Sequence, residues 1–259
     1  MTRPQESSAQ TAPATGRRRL SAAELAHNRQ TRRHPRPTQW DYLHLRRLLE
    51  DLERFFNDLP PGVVDVLDIW CGSRPYDDLL PKGARCTGLD IDDMYGVADV
   101  VTDEFLPFED DSFDLVMSIE AFHYAPDPDA AAQEIRRVLR PGGFVLITVP
   151  HVFDYSPDTL ERRFTEAQLR EIFADWDDIR VIENGGRAVV WAAVTGRLLQ
   201  RYQRARERAG ASARTPLFRM GYRLINRIGQ ALERLEKRLA DDPLTLPMNL
   251  MLTARKPPA

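Results

Sequence analysis

What this sequence lacks narrows its role before any motif is read. Its 259 residues include only two cysteines, too few for a disulfide framework or a cysteine-built structural metal site. No metal is expected. The longest uninterrupted apolar run, AVVWAAV at 188–194, falls far short of the roughly 20 residues a bilayer-spanning helix needs. The opening segment, MTRPQESSAQTAPATGRRR, carries no apolar stretch, so a reduced, cytoplasmic setting is expected and a secretory signal is not. A dinucleotide fingerprint is missing too, because Gly72 stands alone between positions 70 and 76 while a pyrophosphate cradle needs several glycines. Nor does one charge dominate: 36 basic and 39 acidic side chains leave a net −3, which by itself singles out no partner.

What is present is unevenly placed. Residues 61–160 hold 6 basic and 20 acidic side chains, whereas residues 185–247 hold 13 and 5, and residues 1–60 hold 11 and 7. An acidic centre lies between two basic flanks, and centre and flanks are expected to do different work. Residues 1–37, rich in Pro, Ser, Thr, Ala and Arg, read as a disordered basic tail with at most a short helix at 21–28. Residues 38–259 read as one domain. Tyr42, Leu45, Leu48, Leu49, Leu52, Phe55 and Phe56 recur at three- and four-residue spacing, which makes an amphipathic helix ending at Pro60-Pro61-Gly62.

Short apolar runs then alternate with helical stretches. The runs at 63–70, 85–91, 98–102, 113–119, 144–149, 179–183 and 249–254 read as strands, with helices at 128–139 and 165–174. The runs are nearly continuous in apolar residues, as strands covered on both faces are. The fold class expected is α/β, a doubly wound, Rossmann-like, seven-stranded and mostly parallel sheet. A helical insertion or cap at 185–247 precedes the last strand.

Three carboxylates end successive strands. VLDIWCGSRPY at 66–76 places Asp68 at the end of the first strand, before a tight turn through Gly72 and Ser73. In a parallel sheet the ligand crevice lies beyond the carboxyl ends of the strands. Asp90 ends the second strand, where an acid accepts both hydroxyls of a ribose. Asp103 follows the third, where it could accept from the exocyclic amine of a base. The acidic centre suits a cationic ligand better than a phosphate.

These features resemble the class I S-adenosylmethionine-dependent methyltransferases, over roughly 60–184 and the final strand. Asp68 to Gly72 matches the D-x-G-x-G motif and Asp90 the ribose-binding acid. LPFEDDSFDLV at 106–116, AFHYAPDP at 121–128 and EIRRVLRPGGFVLITVP at 134–150 resemble its small-molecule and glycan-acting branch, and PDTLERRFT at 157–165 is a looser match. The resemblance implies S-adenosylmethionine as cofactor, held by Asp68, Cys71, Gly72, Ser73, Asp90, Ile91, Asp103, Glu104, Phe105 and Ser118. It implies methyl transfer, with oxygen of a small molecule or glycan as the expected acceptor. Two positions depart from the pattern. Trp70 stands where the motif has its first glycine, and Arg74 where it has a small residue. An impaired, methyltransferase-like binding protein is therefore the alternative reading.

An acceptor hydroxyl needs a base. His123, beyond the fourth strand, and His151, after the fifth, are the candidates, although a histidine at position 123 also suits packing. Glu120 and Tyr124 flank the same rim and could orient substrate. Cys71 and Cys86 read as small buried residues. Arg197, Arg201, Arg204 and Arg208 share one helix face, and Phe218, Ile225, Leu232 and Leu239, with Gly221, Ile228 and Leu235, make a heptad-like stripe. Residues 187–240 thus suit packing on the domain, a homodimer or an anionic membrane surface. Nucleic acid is disfavoured, because SIEAFHY at 118–124 carries no base-methylating motif and no aromatics interleave the arginines.

Overall fold

The computed structural model describes residues 18–102, 105–155, 159–210, 215–239 and 245–258. Seven strands form one sheet: β1 (Asp65–Ile69), β2 (Arg85–Asp90), β3 (Val100–Val101), β4 (Phe113–Ile119), β5 (Leu139–Pro150), β6 (Asp177–Asn184) and β7 (Asn249–Arg255). Their order is β3-β2-β1-β4-β5-β7-β6. The pairs among β1 to β5 are parallel, and β7 runs antiparallel between β5 and β6. The chain winds outward from β1 to β3 and then returns to lay β4 on the other side of β1. That reversal opens a crevice at the carboxyl ends of β1 and β4. β5 starts ahead of the expected residue 144 because 139–143 stay beside β4 through a register irregularity between Phe113 and Leu115.

Both faces of the central strands β1, β4 and β5 are largely dry, which explains their continuous apolar runs. Val66, Leu115, Met117, Leu146 and Met251 pack with Leu48, Leu52 and Phe56 of α2 (Tyr42–Asp58). On the opposite face Leu67, Ile69, Val116, Val145 and Ile147 pack with Ile135 and Val138 of α3 (Pro128–Val138) and Leu169 of α4 (Glu166–Ile172). Local chemistry starts these helices. The Asp127 carboxylate accepts from the amides of Asp129 and Ala130 at 3.1 and 3.0 Å, with Pro128 in the first turn. Thr165 and Gln168 cap α4 reciprocally.

The tail reading needs correction from residue 18 onward. Ser21 and Glu24 form a capping box at the start of α1 (Ala22–Arg33), a longer helix than 21–28. None of its residues is buried. Polar contacts hold it instead: Arg33 pairs with Glu53 and Asp78, Arg19 with Asp93, and the Leu20 amide donates to the Met94 carbonyl at 2.9 Å. Composition hid this, because a helix docked by charges carries no apolar period. The part of the tail at 1–17 lies outside the described residues.

Between β6 and β7 the chain forms two helices, α5 (Arg187–Arg208) and α6 (Thr215–Glu236). They sit on α2 and on the segment before it. A Cβ on Gly196 would come within 2.6 Å of the Trp40 carbonyl, so only glycine permits that approach. Arg46 and Arg47 both pair with Glu233, and the Asn226 amide donates to the carbonyls of Pro37 and Gln39. The heptad-like stripe does not pack as a unit. Phe218 and Tyr222 are buried, while Ile228, Leu232, Leu235 and Leu239 face outward. Among the described residues no helix is long and apolar enough to cross a membrane.

Candidate active site

The crevice is built around a strained turn. β1 ends at Ile69, and Trp70, Gly72 and Arg74 follow with φ of 54°, 53° and 50°. Alternating left-handed residues cost non-glycine side chains about 1–2 kcal/mol each, a strain that collects where function constrains the backbone. Asp90, ending β2, fixes this turn from the side. One of its oxygens accepts from the Gly72 amide at 2.9 Å and the other from the Ile91 amide at 2.8 Å. Gly72 leaves its side open, since an added Cβ would meet only Tyr95, at 3.7 Å.

Asp68 lies on β1 in register with Gly88 of β2 and Met117 of β4. Burial, reinforced by the neighbouring charges of Asp77 and Asp90 and opposed by Arg74, holds its carboxyl well above the usual range. A buried acid in that state lacks a cation, and a positively charged ligand would supply one. Arg74 does not fill that role, being turned back beneath β2, where it pairs with Asp77 and Asp99 and donates to the Cys86 and Val97 carbonyls. It braces the turn.

The remaining sequence-derived cofactor positions divide. Trp70 turns its ring onto Phe105, at 5.7 Å between centroids, so it packs against the loop after β3. Asp103 and Glu104 lie outside the described residues. Ile91 has its side chain exposed and Cys71 is buried; burial raises the Cys71 thiol far above its ordinary value, with Asp68 and Asp90 adding to the effect. Cys86 is pushed up to about 12 by burial, and both cysteines are free. The Ser73 hydroxyl is occupied, donating to Asn28 of α1 at 2.7 Å, while Arg29 donates to the Ser73 carbonyl at 2.6 Å. Ser118 is fully buried within β4, its hydroxyl without a hydrogen-bond partner.

A second polar cluster sits beside this turn, where β4, β5 and β7 meet α2. Glu120 follows β4 with φ of 58°. Its amide donates to the Thr148 hydroxyl at 2.8 Å, and its carboxylate accepts from Thr148 at 3.1 Å and from Asn249 at 2.9 Å. The Asn249 amide also lies 2.7 Å from Nε2 of His44. Burial, followed by the Arg32 charge, depresses His44 to about 4, so it is neutral at pH 7 and accepts there. Burial raises Glu120, and Arg32, Thr148 and Asn249 oppose that rise. Tyr76 nearby is pushed up to about 12 by burial, its hydroxyl buried without a partner.

The two sequence-derived bases occupy different settings. His123 is buried, its ring 4.0 Å from that of Tyr124, and burial followed by Arg163 lowers it to about 4. His151 is partly open, with Nδ1 2.9 Å from the Phe164 carbonyl. A carbonyl only accepts, so Nδ1 is the donor there. Sequence reasoning passed over His44, Thr148, Asn249 and Arg32. Only His44 gave a signal, a histidine at an otherwise apolar helix position.

A cleft of about 730 Å³ has neither Asp68 nor Asp90 in its lining. It lies between Phe153, Asp154 and Tyr155 and the arginines 197, 201, 204 and 208 of α5. It adjoins the polar cluster through Phe153, whose ring is 6.4 Å from His44 and 6.1 Å from Trp40. Arg197 stacks over both rings, 4.9 Å from the Trp40 centroid and 5.9 Å from that of Phe153, so aromatics and arginines line this side together.

Fold and site together define a doubly wound α/β protein whose crevice presents carboxylates to a cationic nucleoside-type ligand. Residues 67–147 match the model of the methyltransferase domain family, and over that stretch the chain is similar to S-adenosylmethionine-dependent methyltransferases. S-adenosylmethionine is the cofactor this similarity implies, and the buried Asp68 carboxylate and the open Gly72 turn fit that cation. The sterol 24-C-methyltransferase ERG6B of Gibberella zeae is 35% identical over 40% of this chain and 32% of its own length. The phthiotriol/phenolphthiotriol dimycocerosates methyltransferase 1 of Mycobacterium ulcerans is 38% identical over 42% of this chain and 48% of its own. The chain thus spans a third to a half of these relatives. The solved structure of the 4+2 cyclase SpnF superposes with a TM-score of 0.51 at 21% identity, covering 82% of this chain and 81% of that one. That likeness concerns the fold.

Proposed function

We propose that the chain transfers a methyl group from S-adenosylmethionine to an oxygen of a small, largely apolar acceptor. The observation that carries this reading is the adjacency, on one sheet edge, of a cation-holding half at Asp68 and Asp90 and a proton-accepting half at Glu120. Bound cofactor supplies a methyl group already activated by its positive sulfur. The protein's work is then mainly positioning. Asp90 accepts the ribose hydroxyls while anchoring the Gly72 amide, Asp68 answers the positive charge, and Asp103 accepts from the base. Glu120, desolvated and held by Thr148 and Asn249, takes the acceptor proton, since a raised carboxyl is a stronger base. His151 is the second proton acceptor, and His123 serves packing.

The names of the two relatives favour an apolar acceptor over a glycan. Titration calorimetry with S-adenosylmethionine tests the cofactor half. Saturable binding is expected, weakened tenfold or more in Asp90→Ala, and no heat at millimolar cofactor would overturn it. Transfer of labelled methyl into extracted acceptors tests the other half; Glu120→Gln should lower kcat by about 10²-fold or more with cofactor affinity retained. The second reading, a binding protein without transferase activity, rests on Trp70 in the glycine position. Binding without product across all acceptors would favour it.

A further inference from the structure

We infer that the outer face of the α5–α6 hairpin is a docking surface for an anionic phospholipid bilayer. The seam between the helices sets the geometry. Added Cβ atoms on Gly229 and Gly221 would meet Ala192 and Leu199, at 2.9 and 2.8 Å, and Tyr202 faces Phe218. The helices therefore run antiparallel. On α5, Trp191, Val194, Leu198 and Tyr202 lie about a quarter turn from that seam; on α6, Leu217, Met220, Leu224, Ile228, Leu232 and Leu235 do. Opposed chain directions put both quarter turns on the same side, so the two stripes merge into one apolar face. It is open to solvent: Leu198 is 69% exposed, Met220 63% and Leu224 60%. Contiguous exposed apolar surface on this scale marks an interaction site.

Charge identifies the occupant. Residues 187–239 carry 13 basic and 3 acidic side chains, and two of the three acids are turned inward. Glu233 pairs with Arg46 and Arg47, and Glu236 accepts from the amides that open α5. Exposed Arg201, Arg204 and Arg208 border one long edge of the apolar face, and exposed Arg223 and Arg227 the other. An apolar stripe edged by arginines seats in a bilayer's interfacial layer, with guanidiniums at the lipid phosphates. A second copy would set this positive face against itself. The inference is independent of methyl transfer.

The test is co-sedimentation of the full chain with phosphatidylcholine vesicles, with and without about a third phosphatidylglycerol. Binding is expected with the anionic vesicles and at least tenfold weaker with phosphatidylcholine alone. Leu198→Glu with Leu224→Glu should reduce it tenfold or more, as should Arg201→Gln, Arg204→Gln and Arg208→Gln together. All five positions are exposed, and unchanged thermal melting verifies the fold. A blue shift of Trp191 fluorescence on binding, absent in Trp191→Phe, would place the face in the lipid. Three results would overturn the inference: no partitioning, partitioning indifferent to the glutamate pair, or a concentration-dependent dimer abolished by that pair.

Discussion

Three non-glycine residues in the left-handed region, Trp70, Arg74 and Glu120, stand at the crevice, and each is held there by something specific. Arg74 is fixed by two aspartates and two carbonyls, Glu120 by Thr148 and Asn249, and Trp70 by Phe105. Replacing Trp70 by glycine relieves about 1 kcal/mol of backbone strain and gives up a ring contact of about 0.5–1.5 kcal/mol together with buried area. A net change within about 2 kcal/mol is expected in chemical denaturation, with cofactor binding retained. His123 offers a pH prediction. Its folded pKa of about 4 lies below the ordinary 6.5, so the unfolded chain binds the extra proton as pH falls between those values. Its contribution is present above 6.5 and is lost toward 4, by roughly 3 kcal/mol at most. Raised Asp68 and Glu120 act in the opposite sense, so the clean readout is a difference. Melting of His123→Gln should fall less between pH 7 and 4.5 than that of the parent; equal slopes would contradict the assignment.

At the scale of elements, the central strands were readable because β1, β4 and β5 bury both faces and so write nearly continuous apolar runs. The acids at the strand ends were readable because Asp68 and Asp90 stand within the last two residues of β1 and β2. The polar cluster was not, because Glu120, Thr148, Asn249 and His44 come from four separate elements and only the sheet order brings them together. α1 was illegible for a different reason. It buries nothing, and Arg29, Asn28 and Arg33 do its docking. Such a helix opens at a lower free energy than the core. Amide exchange along 22–33 should run far faster than along β1 and β4, and faster still in high salt, which screens its exposed pairs. Bound cofactor should slow it, because Asn28 and Arg29 sit on Ser73 next to the cofactor turn.

For the whole molecule, the hairpin joins the sheet to everything on the acceptor side. It presses on Trp40 through Gly196, on Leu43 through Gly229, and on residues 37–39 through Asn226. Gly196→Ala forces a carbon against a backbone carbonyl that has little room to move, and about 1–3 kcal/mol of destabilisation is expected, read as a fall in Tm. The same variant should alter acceptor KM more than cofactor affinity, since Trp40 contacts Phe153 of the cleft proposed for the acceptor.

The uneven charge noted in the sequence follows this division of labour. The acidic stretch lies at the cofactor crevice, and the basic one forms the hairpin. Where the hairpin leaves and rejoins the sheet has a consequence of its own. Asn184 and Asn249 face each other across β6 and β7, and the Met248 amide donates to the Gly185 carbonyl at 3.2 Å. The two ends of the insertion already touch, as the ends of an ordinary β-hairpin turn do. In evolutionary terms the insertion occupies a socket: it can lengthen, shorten or be exchanged without moving a strand, so acceptor choice and surface attachment can change while the methyl-donor half of the protein stays as it is.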